Sequence, residues 1–130
     1  MLSQGNSMKK TTAKNAGKAK TAKLAAPPNE SKQIAHSYKV ITQGNLWPYV
    51  LSIIKKDGKV YAYQLDSIIE KRFGFLPGKV MLYLVLYSLE ESGMVKSSFV
   101  ERRKYYTITD KGKTELKKFK NLLARVSSSI

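Results

Sequence analysis

The sequence predicts a mostly helical domain with one small β-hairpin, an α+β order of helix, helix, helix, hairpin and helix behind a basic tail. Three observations lead there. Large apolar residues are scarce up to about residue 37 and dense after Tyr38. Three segments between Leu46 and Gly93 repeat their apolar residues at helical spacing. Two short β-type runs then flank a basic turn ahead of a last amphipathic stretch.

Residues 1–37 hold Lys9, Lys10, Lys14, Lys18, Lys20, Lys23 and Lys32 against one acid, Glu30, among Ala, Thr, Gly, Asn and Ser. Such a segment buries too little to offset its chain entropy and is expected to be disordered in isolation, with Pro27-Pro28 stiffening its approach to a domain over 38–130. Either it solubilises the chain or it lies along phosphates as a flexible arm.

The first helix is expected over Leu46 to Lys56, because Leu46, Tyr49, Val50, Ile53 and Ile54 share one face. Asn45 is its expected N-cap, Pro48 is tolerated in the first turn, and Asp57-Gly58 stops it. A second helix is expected from Tyr61 to Phe73, with Leu65, Ile68, Ile69 and Phe73 inward and Gly74 as its stop. The third opens at Pro77-Gly78 and closes at Gly93, with Leu82, Val85, Leu86 and Leu89 facing the core. Three short, closely connected helices suggest a helix-turn-helix core. Met94 to Val100 and Lys104 to Ile108 read as strands joined by Glu101, Arg102 and Arg103, a hairpin with a basic tip. Thr109-Asp110 caps a final helix to about Val126.

Composition narrows the chemistry. The 130 residues carry 24 Lys plus Arg against 9 Asp plus Glu, a formal charge of +15 that fits a polyanionic partner, nucleic acid ahead of an anionic membrane. There is no cysteine and a single histidine, His36, so neither a disulfide, a metal centre nor a cofactor is expected. No Gly-rich phosphate loop or HExxH motif is present, and the neighbouring Glu90 and Glu91 point in different directions on a helix, so no catalysis is expected. No stretch approaches the ~18 apolar residues of a membrane span, and no secretory signal is seen. The expected setting is cytoplasmic and nucleoid-associated.

Three motifs then resemble the PadR-like winged helix-turn-helix transcriptional regulators. Tyr61-Ala62-Tyr63-Gln64-Leu65 is similar to that family's YGYxL. Leu82-Tyr83, followed by Leu89-Glu90-Glu91-Ser92-Gly93-Met94-Val95, resembles its LYxxLxxLExxGLV, and Arg102 to Gly112 resembles RRKYYxLTxxG. The resemblance spans Leu46 to about Leu116. It implies a homodimeric regulator that binds double-stranded DNA through the third helix and the wing and dimerises through the final helix.

The residues that match those roles can be named. Arg102, Arg103 and Lys104 form the basic wing, able to place guanidinium and ammonium groups beside phosphates, although an ordinary solvated turn has the same composition. On the third helix Lys79, Tyr83 and Ser88 are the candidates for DNA contact, although a Tyr in a helical stripe, such as Tyr83, more often serves packing. Tyr105 and Tyr106 alternate across the second strand, so one enters the core and the other faces away. Leu116, Phe119, Leu123 and Val126, with Leu122 beside them, make a stripe that fits a dimer contact or packing on its own domain.

Two departures from the family pattern bear on specificity. The run Val80 to Tyr87 is wholly apolar or aromatic, so apolar groups must also occupy the outer face of the third helix, where hydrogen-bonding side chains normally read bases. Recognition there leans on phosphates, DNA shape and thymine methyl groups, or the face is a protein interface. The hairpin also lacks the Gly-rich insertion before the RRKYY run, which leaves a short wing. The only tryptophan, Trp47, lies at the start of the first helix, so no small-molecule effector is carried over. Three functions remain: sequence-selective regulator, architectural chromatin-like DNA binder, and protein-docking adaptor.

Overall fold

The computed structural model describes Leu24, Ala26 and residues 28–130. The lysines at 9, 10, 14, 18, 20 and 23 lie outside the described residues. The elements in order are α1 (Lys32–Ile41), α2 (Trp47–Asp57), β1 (Val60–Tyr61), a 3₁₀ turn (Ala62–Gln64), α3 (Leu65–Phe73), α4 (Lys79–Glu91), β2 (Val95–Val100), β3 (Arg103–Ile108) and α5 (Asp110–Ser129).

The core gathers around α2, whose Val50, Leu51, Ile53 and Ile54 are buried as their periodicity requires. Leu65 and Ile69 of α3, Leu82, Leu86 and Leu89 of α4, Val60, Val95, Tyr106 and Leu116 close over it, with Phe75 from the connection between α3 and α4. Pro48 sits within the first turn of α2, and Gly58, at φ 83, ends that helix by donating its N–H to the Ile54 carbonyl. The cap of α2 is Leu46, without a side-chain hydrogen bond; Asn45, the expected cap, instead donates its backbone N–H to the Thr42 carbonyl at 3.1 Å.

Two elements differ from the sequence expectation. Residues 32–37, expected in the tail, belong to α1, which starts on Ser31: its Oγ accepts from the Ile34 N–H at 3.1 Å. No residue of α1 is buried, but its end is tied down. Thr42 is fully buried and donates its hydroxyl to the Tyr38 carbonyl at 2.7 Å, while the Tyr49 hydroxyl of α2 donates to the Ile41 carbonyl at 2.5 Å. The second helix starts at Leu65 and not at Tyr61, because Val60 and Tyr61 pair antiparallel with Tyr106 and Tyr105. The expected hairpin is therefore part of a three-stranded sheet ordered β1-β3-β2.

The wing is a tight hairpin. Val100 pairs with Arg103, which leaves only Glu101 and Arg102 in the turn, and Glu101 adopts φ 57. A side chain in that left-handed region costs ~1 kcal/mol that glycine would avoid. At the other end of the hairpin, Thr109 caps α5 as expected, accepting from the Gly112 N–H at 3.1 Å and donating to the Gly93 carbonyl at 2.6 Å. No helix among the described residues is long and apolar enough to cross a membrane.

Candidate nucleic-acid interface

Strand alternation assigns the wing residues to two faces. Val95, Ser97, Lys104, Tyr106 and Ile108 share the face toward α4, where Tyr106 is buried in the core. Glu90 near the end of α4 holds this face. It accepts a hydrogen bond from the Ser97 hydroxyl at 2.5 Å and lies 3.8 Å from the Lys104 ammonium, which also sits over the Tyr106 ring. The Glu90–Lys104 pair is half exposed, so it is worth well under ~1 kcal/mol and yields readily to a stronger anion.

The opposite face carries Arg103 and Tyr105, extended by β1. Tyr61 packs against both Tyr63 and Tyr105, at ring-centroid distances of 5.9 and 6.0 Å. Cations cover this row: Lys59 lies 4.9 Å from the Tyr105 centroid, and the Arg103 guanidinium lies 5.7 Å from that of Tyr63. Such contacts fix the direction of a guanidinium while leaving its charge outward. Arg102 stands in the exposed turn, next to the acidic Glu101.

On α4 the core-facing stripe is Leu82, Leu86 and Leu89. Lys79 and Tyr83 point to the wing side, where they line a small cleft with Ala62, Tyr63 and Asp66; the Lys79 ammonium is 3.9 Å from the Asp66 carboxylate. Ser88 points to the other side, into a shallow depression lined by Gly44, Asn45 and Trp47. A second groove on that side is lined by Met81 together with His36 and Lys39 of α1. The structure thus brings Lys79, Tyr83, Arg103 and Lys104 to one flank of α4 and leaves Ser88 on the other. Lys59, Tyr61 and Tyr63, in and beside a strand too short for periodicity to reveal, and Lys39, from α1, are surface groups the sequence reading missed.

The apolar stripe of α5 divides in two. Leu116 is buried in the core and Phe119 packs edge-on against Trp47 at 5.2 Å, so these two positions serve the domain itself. Leu122, Leu123 and Val126 are 46, 48 and 50% exposed on the half of α5 that projects beyond the domain.

The comparisons with known proteins agree with this architecture. Residues 50–118, more than half of the chain, match the sequence profile of the transcriptional regulator PadR-like family. Among solved structures, a PadR-like transcriptional regulator from Bacillus cereus is 29% identical, with a TM-score of 0.58 over 70% of this chain and 90% of that one. A transcriptional regulator from Clostridium thermocellum superposes with a TM-score of 0.62 at 24% identity, over 68% of this chain and 92% of its own. A winged-helix DNA-binding protein from STIV superposes at 0.54 and 22% identity, over 62% and 85%. The fold is a winged helix. No curated protein matches the chain.

Proposed function

The chain belongs to the PadR-like family, a family of transcriptional regulators and not of enzymes, and from that premise we propose how it holds DNA. It binds double-stranded DNA as a homodimer, with α4 in the major groove, Lys79 and Tyr83 at its edge, and Arg102, Arg103 and Lys104 of the wing on the flanking backbone. Ser88, on the flank of α4 away from the wing, is a further polar contact to the duplex. The lysine-rich tail ahead of α1, including Lys9, Lys10, Lys14, Lys18, Lys20 and Lys23, lies along neighbouring phosphates and adds affinity without sequence information. The setting is the cytoplasm, on the nucleoid.

The observation that carries this reading is the placement of α4: its outward face is exposed and flanked by Lys79 of the helix itself and by Arg103 and Lys104 of the wing. Cations beside a groove-sized helix favour phosphate contacts, each releasing a counterion from the duplex. The projecting half of α5, with Leu122, Leu123 and Val126 exposed, supports the dimer. A two-fold pair sets two α4 helices about 34 Å apart, one duplex turn.

Selection of full-length protein on a random duplex pool tests the proposal. A dimeric regulator enriches a pseudo-palindrome and prefers it by on the order of 10³ over scrambled duplex at physiological salt. Removing residues 1–23 flattens the dependence of log affinity on log salt by about 0.9 for each phosphate that the tail neutralises. Tight binding without enrichment assigns the chain an architectural role, which the apolar face of α4 also accommodates.

A further inference from the structure

Base reading through hydrogen bonds asks for Arg, Asn, Gln or Ser on the outward face of a recognition helix. Here the three residues directly opposite Leu82, Leu86 and Leu89 are Val80, Leu84 and Tyr87, exposed by 73, 57 and 66%. They stand at i, i+4 and i+7 and so form one continuous ridge. Its only polar group is the hydroxyl of Tyr87. Met81, 49% exposed, broadens the ridge on one side.

The ridge lies between two basic banks. On the Met81 side, Lys39 of α1 lines the adjoining groove with His36. On the other side stand Lys79, Tyr83 and Tyr63, with Arg103 over the Tyr63 ring and Lys104 beyond. An apolar strip between positive banks matches the cross-section of a major groove, whose floor carries base edges and whose walls carry phosphates. The floor offers one apolar group, the C5-methyl of thymine.

On the reading that α4 enters the major groove, we propose that Val80 and Leu84, flanked by Met81 and Tyr87, select DNA by packing against thymine methyl groups. The operator class is therefore duplex with A·T pairs at fixed positions under α4. From Val80 to Tyr87 the helix rises about 10 Å, enough for about three base steps at ~3.4 Å each. Discrimination comes from burying methyl surface and not from pairing donors with acceptors. Lys39, Lys79, Arg103 and Lys104 set the register of the ridge over the bases.

Replacing thymine by uracil tests this directly, because it removes the methyl group and keeps the phosphate charge and the hydrogen-bonding edge. The duplex selected by the full-length protein is scanned one thymine at a time. Each methyl buried under the ridge contributes about fourfold in affinity, so replacing about four across two half-sites weakens binding on the order of a hundredfold. The sensitive positions cluster within about three base pairs of each half-site. The Val80→Ala/Leu84→Ala double variant, altered only at exposed positions, folds normally, keeps the wild-type salt dependence and no longer distinguishes thymine from uracil.

Equal affinity for the thymine and uracil duplexes overturns methyl reading while leaving DNA binding intact. Unchanged DNA affinity of the double variant overturns it as well and turns this face of α4 toward a protein partner. Absence of binding to either duplex defeats the DNA reading on which the proposal rests, and only that outcome does.

Discussion

Gly112 decides whether the wing and the last helix can meet, and Gly112→Ala measures it. The residue lies in the first turn of α5, where the backbone passes directly over the start of β2. A Cβ there would stand 2.2 Å from the Met94 carbonyl oxygen and 2.8 Å from the Ile108 side chain. Ordinary contact requires more than 3 Å, so either the strand or the helix must move by about 1 Å. The Met94 carbonyl cannot move freely, because it also accepts from the Thr109 N–H at 3.1 Å. Overpacking costs about 1–3 kcal/mol and a weakened hydrogen bond about 1 more, against which alanine returns about 1 through its better helix propensity. The expected loss is about 2 kcal/mol, a fall in Tm of roughly 8–16 °C for a domain of this size. Thermal unfolding followed by circular dichroism reads it, with the exposed Lys113→Ala as the control expected to stay within ~0.5 kcal/mol. A Gly112→Ala variant as stable as the wild type would refute the close approach and, with it, the coupling of wing to α5.

Three further outcomes follow from the same geometry. Arg102→Ala/Arg103→Ala weakens binding about equally on every duplex and lowers the salt slope by about 1.8, whereas Glu101→Gln, which removes the acid at the wing tip, strengthens it; titrations across salt concentrations check both. Leu123→Glu/Val126→Glu yields a folded monomer by sedimentation equilibrium, because both positions are exposed on the protomer and the core keeps its packing; a persistent dimer places the interface elsewhere. Burial raises the pKa of Tyr38, and burial together with the nearby Tyr38 raises that of Tyr49, above the usual 10.0. Their contribution is complete below about pH 10 and disappears as pH rises through the raised values, so stability falls on the alkaline side and falls less in Tyr49→Phe, read by denaturation at a series of pH values.

Legibility tracked the range of the interactions. The third and final helices could be read because their signals are local: an apolar stripe between Gly78 and Gly93, and a Thr cap ahead of a run from Leu116 to Val126. That one of Tyr105 and Tyr106 enters the core followed from strand alternation, and the fold makes it Tyr106. By contrast, β1 is two residues long and exists only because Val60 and Tyr61 meet β3 from far along the chain, so Tyr61 read as a helix start. The first helix was hidden by its polarity. Ser31, Ile34, Tyr38 and Ile41 do carry a cap and an i, i+4, i+7 series, but α1 buries no side chain, and its lysines resemble the tail before it. The stripe on α5 was legible as a stripe, yet sequence spacing does not say where the domain ends. Leu116 and Phe119 fall on the core side of that boundary and Leu122, Leu123 and Val126 beyond it.

On the proposed reading, the acids on the candidate surface let so basic a chain be selective. Lys79 faces Asp66, Lys104 faces Glu90, and Glu101 stands beside Arg102 in the turn. Neither ion pair is strong, since both lysines keep substantial contact with solvent, but each must open before its lysine meets a phosphate. Phosphate attraction at α4 and the wing is thereby reduced, whereas no acid lies among the tail lysines up to Lys23. On the proposed reading the two parts have different tasks. The tail supplies affinity for any duplex, and the domain, with its phosphate contacts held in check, lets methyl contacts under α4 decide where the protein stays. If that division holds, neutralising Glu90 and Glu101 together tightens binding to random duplex more than to the selected site, and selectivity drops although every contact to DNA is retained.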